Sequence, residues 1–210
     1  MRATRPGRDF LSRYTPDVAR DILGFVIVRN LAGIRLTARI VEVEAYRGPD
    51  DPASHAYRGR TGRNAVMFGA AGHAYVYFTY GNHHCLNITT ETEGVAGAVL
   101  IRAAEPIVGI EEMKRRRGVR EIANLMSGPG KLTKALGIDL ALNGEDMITS
   151  RRLYLLTGRK PKRTGVSTRI GVSKGMETKW RFYEEDSPYV SGARTHNYGD
   201  NAGGRRGVVG

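Results

Sequence analysis

The sequence predicts one α+β domain, a mainly antiparallel β-sheet core flanked by short helices. Three observations point there. The 210 residues suit a single core, burying about 70% of the unfolded surface. Apolar runs with period-two alternation are separated by short Gly, Asn and Asp turns, the pattern of an antiparallel meander. Helical signals are few and brief.

In chain order, residues 1–9 are polar and basic and are expected to form a flexible arm. Thr15-Pro16-Asp17 starts a helix, since Pro is tolerated in a first turn; Val18, Ile22 and Leu23 give it an apolar face and Gly24 ends it. Residues 25–29 read as a strand, 30–33 as a turn and 34–46 as a second strand. Alternation there puts Ile40, Glu42, Glu44 and Tyr46 on one face, with Val41, Val43 and Ala45 on the other. Gly48-Pro49-Asp50-Asp51-Pro52 ends that strand as a turn, and 53–72 has no firm periodicity. Strands follow at 74–79, 85–90 and 98–103, turned at Gly81-Asn82 and Glu93-Gly94. Helices are predicted over 106–117 and 131–136, the latter stopped by Gly137. Later strands fall near 152–157, 168–172 and 180–183. The Gly- and Arg-rich residues 192–210 are expected to form a disordered tail, leaving 10–191 as the folded domain.

Lys and Arg outnumber Asp and Glu by 33 to 21, a net charge of +12 that favours a polyanionic partner. Cys85 is the single cysteine, so an intramolecular disulfide is excluded. The N-terminus has no signal-peptide core and no run approaches the ~20 apolar residues of a membrane span. A cytoplasmic protein without membrane association is expected, nucleoid-associated in a bacterium.

The chemistry concentrates between Ile40 and Asn87. Carboxylates on a strand backed by β-branched residues are how a sheet offers acid groups to a cleft, where burial makes a general base. Tyr75 and Tyr77 share a strand face and Tyr80 sits at a turn, an arrangement able to stack on bases. With the basic charge, this segment points to a pocket for a flat, electron-poor ring carried on a nucleic acid. The His and Cys residues lack metal-ligand spacing, so no metal and no cofactor is expected. Gly128-Pro129-Gly130-Lys131 is not a nucleotide-binding loop, because Leu125 and Leu132 replace its Gly and Ser/Thr. Lys131 and the helix start remain candidates for a backbone phosphate.

The segments VEVEAYRGPDDPASHAYRG, TGRNAVMFGAAGHAYVYFTYGNHHCLNI, AVLIRAAEP, SGPGKL and RFYEEDSPYVS, in order from about Phe10 to Ser191, resemble the alkyladenine (3-methyladenine) DNA glycosylase family. The resemblance implies a curved antiparallel sheet and a monofunctional enzyme, initiating base excision repair, that flips damaged purines from duplex DNA. It implies that Glu44 is the general base and that Arg102 holds the water and the flipped phosphate. Tyr46, His55 and Tyr77 would be the stacking walls, and Asn87 would crowd the exocyclic amino group of guanine. Tyr80 would fill the gap left in the duplex. Asn82 stands where the family commonly carries an apolar wedge such as Met, which implies weaker insertion. The implied partner is double-stranded DNA with alkylated or deaminated purines, bound by a monomer. Two other classes compete. One is a metal-dependent nuclease using Glu42, Glu44 and Asp50 or Asp51; the other is a non-catalytic nucleic-acid binder.

Overall fold

The computed structural model describes residues 3–48, 50–79 and 81–192. Its core is a curled antiparallel sheet with few short helices. The strands are β1 (Val26–Leu31), β2 (Ile34–Arg47), β3 (Ala74–Thr79), β4 (His83–Thr89), β5 (Gly97–Val108), β6 (Leu153–Leu156), β7 (Thr164–Ser167) and β8 (Arg181–Glu184). Their order is β3-β4-β5-β2-β1-β6, with β8 pairing both β2 and β7. The helices are α1 (Arg8–Leu11), α2 (Thr15–Asp21), α3 (Ile110–Arg117) and α4 (Pro129–Leu136).

Local sequence explains the hairpins. Ala32 and Gly33 both have positive φ, the two-residue turn that matches strand twist, and Leu31 pairs with Ile34 across it. The helix at Thr15 forms with Pro16 in its first turn, and Glu91 satisfies its start by accepting from Thr15 N at 2.8 Å. α4 buries Leu132, Ala135 and Leu136, and Gly137 closes it at φ 61°. Thr133 Oγ1 donates to His84 O at 2.8 Å, which fixes α4 against β4. The N-terminal stretch is tied down from Thr4, which exchanges bonds with Thr157, while Arg8 pairs with Asp146 at 2.8 Å. Residues 193–210, most of the expected tail, lie outside the described residues.

Three expectations need correction. The predicted helix 106–117 starts only at Ile110, because β5 runs on to Val108 and Gly109 breaks the chain at φ 82°. Pro106 is tolerated in that strand because the ladder is irregular there, Ala38 pairing with Pro106 and Thr37 with Val108. The strand expected at 168–172 is absent; the strand is Thr164–Ser167, and Ile170 N donates to a carboxylate instead of a ladder.

The third correction concerns the faces of β2. Leu36, Ala38 and Ile40 belong to the main core, and so do Val43 and Ala45. The step from 40 to 43 is odd, so Ile40 does not share a face with Glu42. Ile40 pairs with Ala104, Glu42 with Ala103 and Val43 with Ile101. Val41 is therefore an extra residue on β2, and Arg102 an extra one on β5. Such paired bulges re-aim side chains locally and restore the register beyond. They bring Glu42, Glu44 and Arg102 together on the side opposite the core.

Candidate active site

One cavity of about 430 Å³ opens on that side, within the range of small-ligand sites. Tyr46, His55, Tyr77, Asn87 and Arg102 all line it. Five expected site residues, drawn from β2, β3, β4, β5 and the loop after β2, thus meet in one place. Tyr80 lies outside the described residues. Asn82 is exposed at the β3–β4 turn and lines a separate crevice of about 230 Å³ with His83, Arg116 and Lys134. Lys131, a candidate for a phosphate, is turned to Asn124 and Ser127, at 2.6 and 3.1 Å.

Glu44 is fully buried and does not itself line the cavity, but its three donors, Ile170, Tyr46 and Arg102, do. Its Oε1 accepts from Ile170 N at 2.7 Å, and its Oε2 accepts from Tyr46 Oη at 2.7 Å and Arg102 Nη1 at 3.3 Å. A carboxylate has about four acceptor positions, so one remains on Oε1. Glu42 is met by four donors, three on Oε1 and one on Oε2. It accepts from Arg102 Nε at 3.0 Å, Arg181 Nε at 2.7 Å, Ser191 Oγ at 2.7 Å and Ser191 N at 2.6 Å. Asp51 is equally committed: Arg169 meets it twice, at 2.6 and 2.8 Å, and the amides of Ala53 and Arg47 fill the rest. A donor set so occupied does not suit the nuclease reading, which needs free carboxylate oxygens.

The electrostatics follow from burial. Burial opposes the charge on Arg102, but Glu44 and Glu42 outweigh it and its pKa is raised. Burial, then the charge of Glu44, drives the Tyr46 phenol far up, so it stays a donor. Burial also raises Tyr77 and lifts Tyr75 to about 12. His55 is held below its usual value by burial and by Arg63, so its ring is neutral near pH 7. It meets Tyr75 Oη through Nδ1 at 2.8 Å and stands edge-on to Tyr77, with ring centroids 4.6 Å apart. The loop carrying His55 has no periodicity because Asn64 organises it. That buried side chain donates to His55 O at 2.8 Å and Gly59 O at 3.0 Å. Asn87 is buried and fixed by donating to Tyr75 O at 3.0 Å.

Sequence reasoning missed the second wall. Residues 170–174, which belong to no strand, also line the cavity. They are anchored by Arg169, fully buried, which binds Asp51 and donates to Ala45 O at 3.0 Å. The partners stand 118 and 124 positions apart, so no local pattern marks them. A buried Asp at a Pro-bounded turn was the one available hint.

Known proteins bear on the site. The model of the Methylpurine-DNA glycosylase (MPG) family matches residues 9–188. A protein of Carboxydothermus hydrogenoformans named "Putative 3-methyladenine DNA glycosylase" is 49% identical over 88% of this chain and 97% of its own length. One of the same name from Methanocella arvoryzae is 50% identical over 88% of this chain and 94% of its own. A third, from Chlorobium luteolum, is 48% identical over 91% and 98%. Among the described residues no helix is long and apolar enough to cross a membrane. With the family model spanning nearly the whole folded region, the chain belongs to the methylpurine-DNA glycosylase family, hydrolases that remove damaged bases from DNA.

Proposed function

We propose that this glycosylase flips an alkylated purine out of duplex DNA into the 430 Å³ cavity and hydrolyses its glycosidic bond with water activated by Glu44. The observation that carries the reading is the acceptor position left on Glu44 Oε1, in a carboxylate held by Ile170, Tyr46 and Arg102 of the cavity lining. The water donates to Oε1, and the carboxylate then stabilises the cationic sugar that develops. Arg102, held positive by both glutamates, orients the water or the flipped phosphate. Tyr46, His55 and Tyr77 enclose the base. Asn87, immobilised on Tyr75 O, is assigned the role of crowding the exocyclic amino group of undamaged guanine. Extrusion costs a few kcal/mol, least for damaged bases; filling of the gap is assigned to Tyr80, with Asn82 beside it.

The reaction needs no cofactor, and a monomer suffices because one chain supplies every group named. Deaminated purines such as hypoxanthine belong to the same proposal, since they are flat and lack the amino group that Asn87 is assigned to crowd. The test is base release from methylated duplex and from duplex carrying one hypoxanthine, in EDTA, analysed before and after hot alkali. Free base with breaks only after alkali is the expected result. Breaks before alkali would refute the monofunctional assignment, and binding without release would refute the catalytic one.

A further inference from the structure

Both aromatic walls of the cavity carry an arginine. The Arg169 guanidinium carbon lies 4.8 Å from the ring centroid of Tyr46, and that of Arg63 lies 5.2 Å from the ring centroid of Tyr77. The tyrosines line the cavity and the arginines do not, so each cation covers the ring face turned away from the base. Arg169 is locked there by Asp51. Arg63 is exposed, donates to Phe78 O at 3.3 Å and has no acidic partner among the described residues.

An aromatic face attracts a cation through its negative quadrupole. A guanidinium on one face draws on that density and sets its own charge behind any second cation on the other. A ring covered in this way stacks on a neutral purine as well as before, and on a cationic one less well. The nearby acids do not reverse this, because Glu42, Glu44 and Asp51 are each met by arginine.

We propose that Arg63 and Arg169 are specificity-determining residues that level the cavity's preference between cationic and neutral purines. The inference rests on the reading that the base lies between Tyr46 and Tyr77. Arg63 gives the cleaner test, because its exposure spares the fold. Single-turnover release of 3-methyladenine from methylated duplex and of hypoxanthine from a duplex of matched length is measured for the native chain, Arg63→Gln and Arg63→Lys. The ratio of the two rates cancels any general loss of DNA affinity. Arg63→Gln is expected to shift the ratio about two- to fivefold toward 3-methyladenine, the worth of an exposed cation–π contact, while Arg63→Lys stays near native. An unchanged ratio, or a shift toward hypoxanthine, with both bases still released would overturn the inference and leave the cavity assignment standing. Release of neither base by the native chain would overturn the assignment itself, and this inference with it.

Discussion

Glu42 and Glu44 stand two residues apart on one strand, both fully buried, both bonded to Arg102, and they end in opposite situations. Around Glu42 the molecule closes: β8 supplies Arg181, the chain after β8 supplies Ser191, and with Arg102 four donors meet the carboxylate. Around Glu44 it stops one bond short, with the cavity wall at Ile170 on one side and Tyr46 on the other. On the proposed mechanism the same residue type is a rivet in one place and a reagent in the other, and the difference is four donors against three.

The largest expected effect separates the two directly. Glu44→Gln should lower base release by about 10²–10⁴, the range for a lost general base, while DNA binding persists. Full activity in that variant would end the assignment. Glu42→Ala should act on the fold: removing one partner of a buried ion pair costs about 3–5 kcal/mol, read as a lower urea midpoint. A catalytic loss in folded Glu42→Ala as deep as in Glu44→Gln would erase the distinction. Tyr46→Phe deletes the O–H that supports Glu44 Oε2. A hydrogen bond to a charge is worth about 1.5–3 kcal/mol, so release should slow by about ten- to a hundredfold.

The smallest expected effect concerns the rim. His55 is held neutral in the fold, its pKa lowered by burial and by Arg63, whereas the unfolded chain titrates near the ordinary 6.5. Below that value the unfolded state takes up protons that the folded state refuses. The stability His55 contributes is therefore complete above about pH 6.5 and falls as the pH drops toward the lowered folded value. Urea midpoints at about pH 7.5 and about pH 5.5 should differ less in His55→Gln than in the native chain.

Much of this was legible in the sequence. Alternation placed β3 within its bounds, and the turn chemistry of Ala32-Gly33 and the Gly137 stop have local causes. The family resemblance points to Tyr46, His55, Tyr77, Asn87 and Arg102, and all five line one cavity. What escaped was of two physical kinds. Backbone irregularity leaves no composition mark, so the odd step between Ile40 and Val43 and the run of β5 through Pro106 were hidden. Long-range bonds have no period, and Ile170 N meets Glu44 from 126 residues away.

The two bulges also limit how this chain can change length. Val41 and Arg102 are surplus on facing strands, and each cancels the other in the register. Deleting Val41 would leave Ile40, Glu42, Val43 and Glu44 in plain alternation, so Val43 and Ala45 would stay in the core and Glu44 on the opposite side. Deleting Ala45, by contrast, would turn over every side chain after it. Removing Arg102 with Val41 would keep the alignment but lose the cation that both glutamates share. The strand pair therefore accommodates a change in length where a surplus residue already sits, freely at Val41 and at Arg102 only by giving up the arginine.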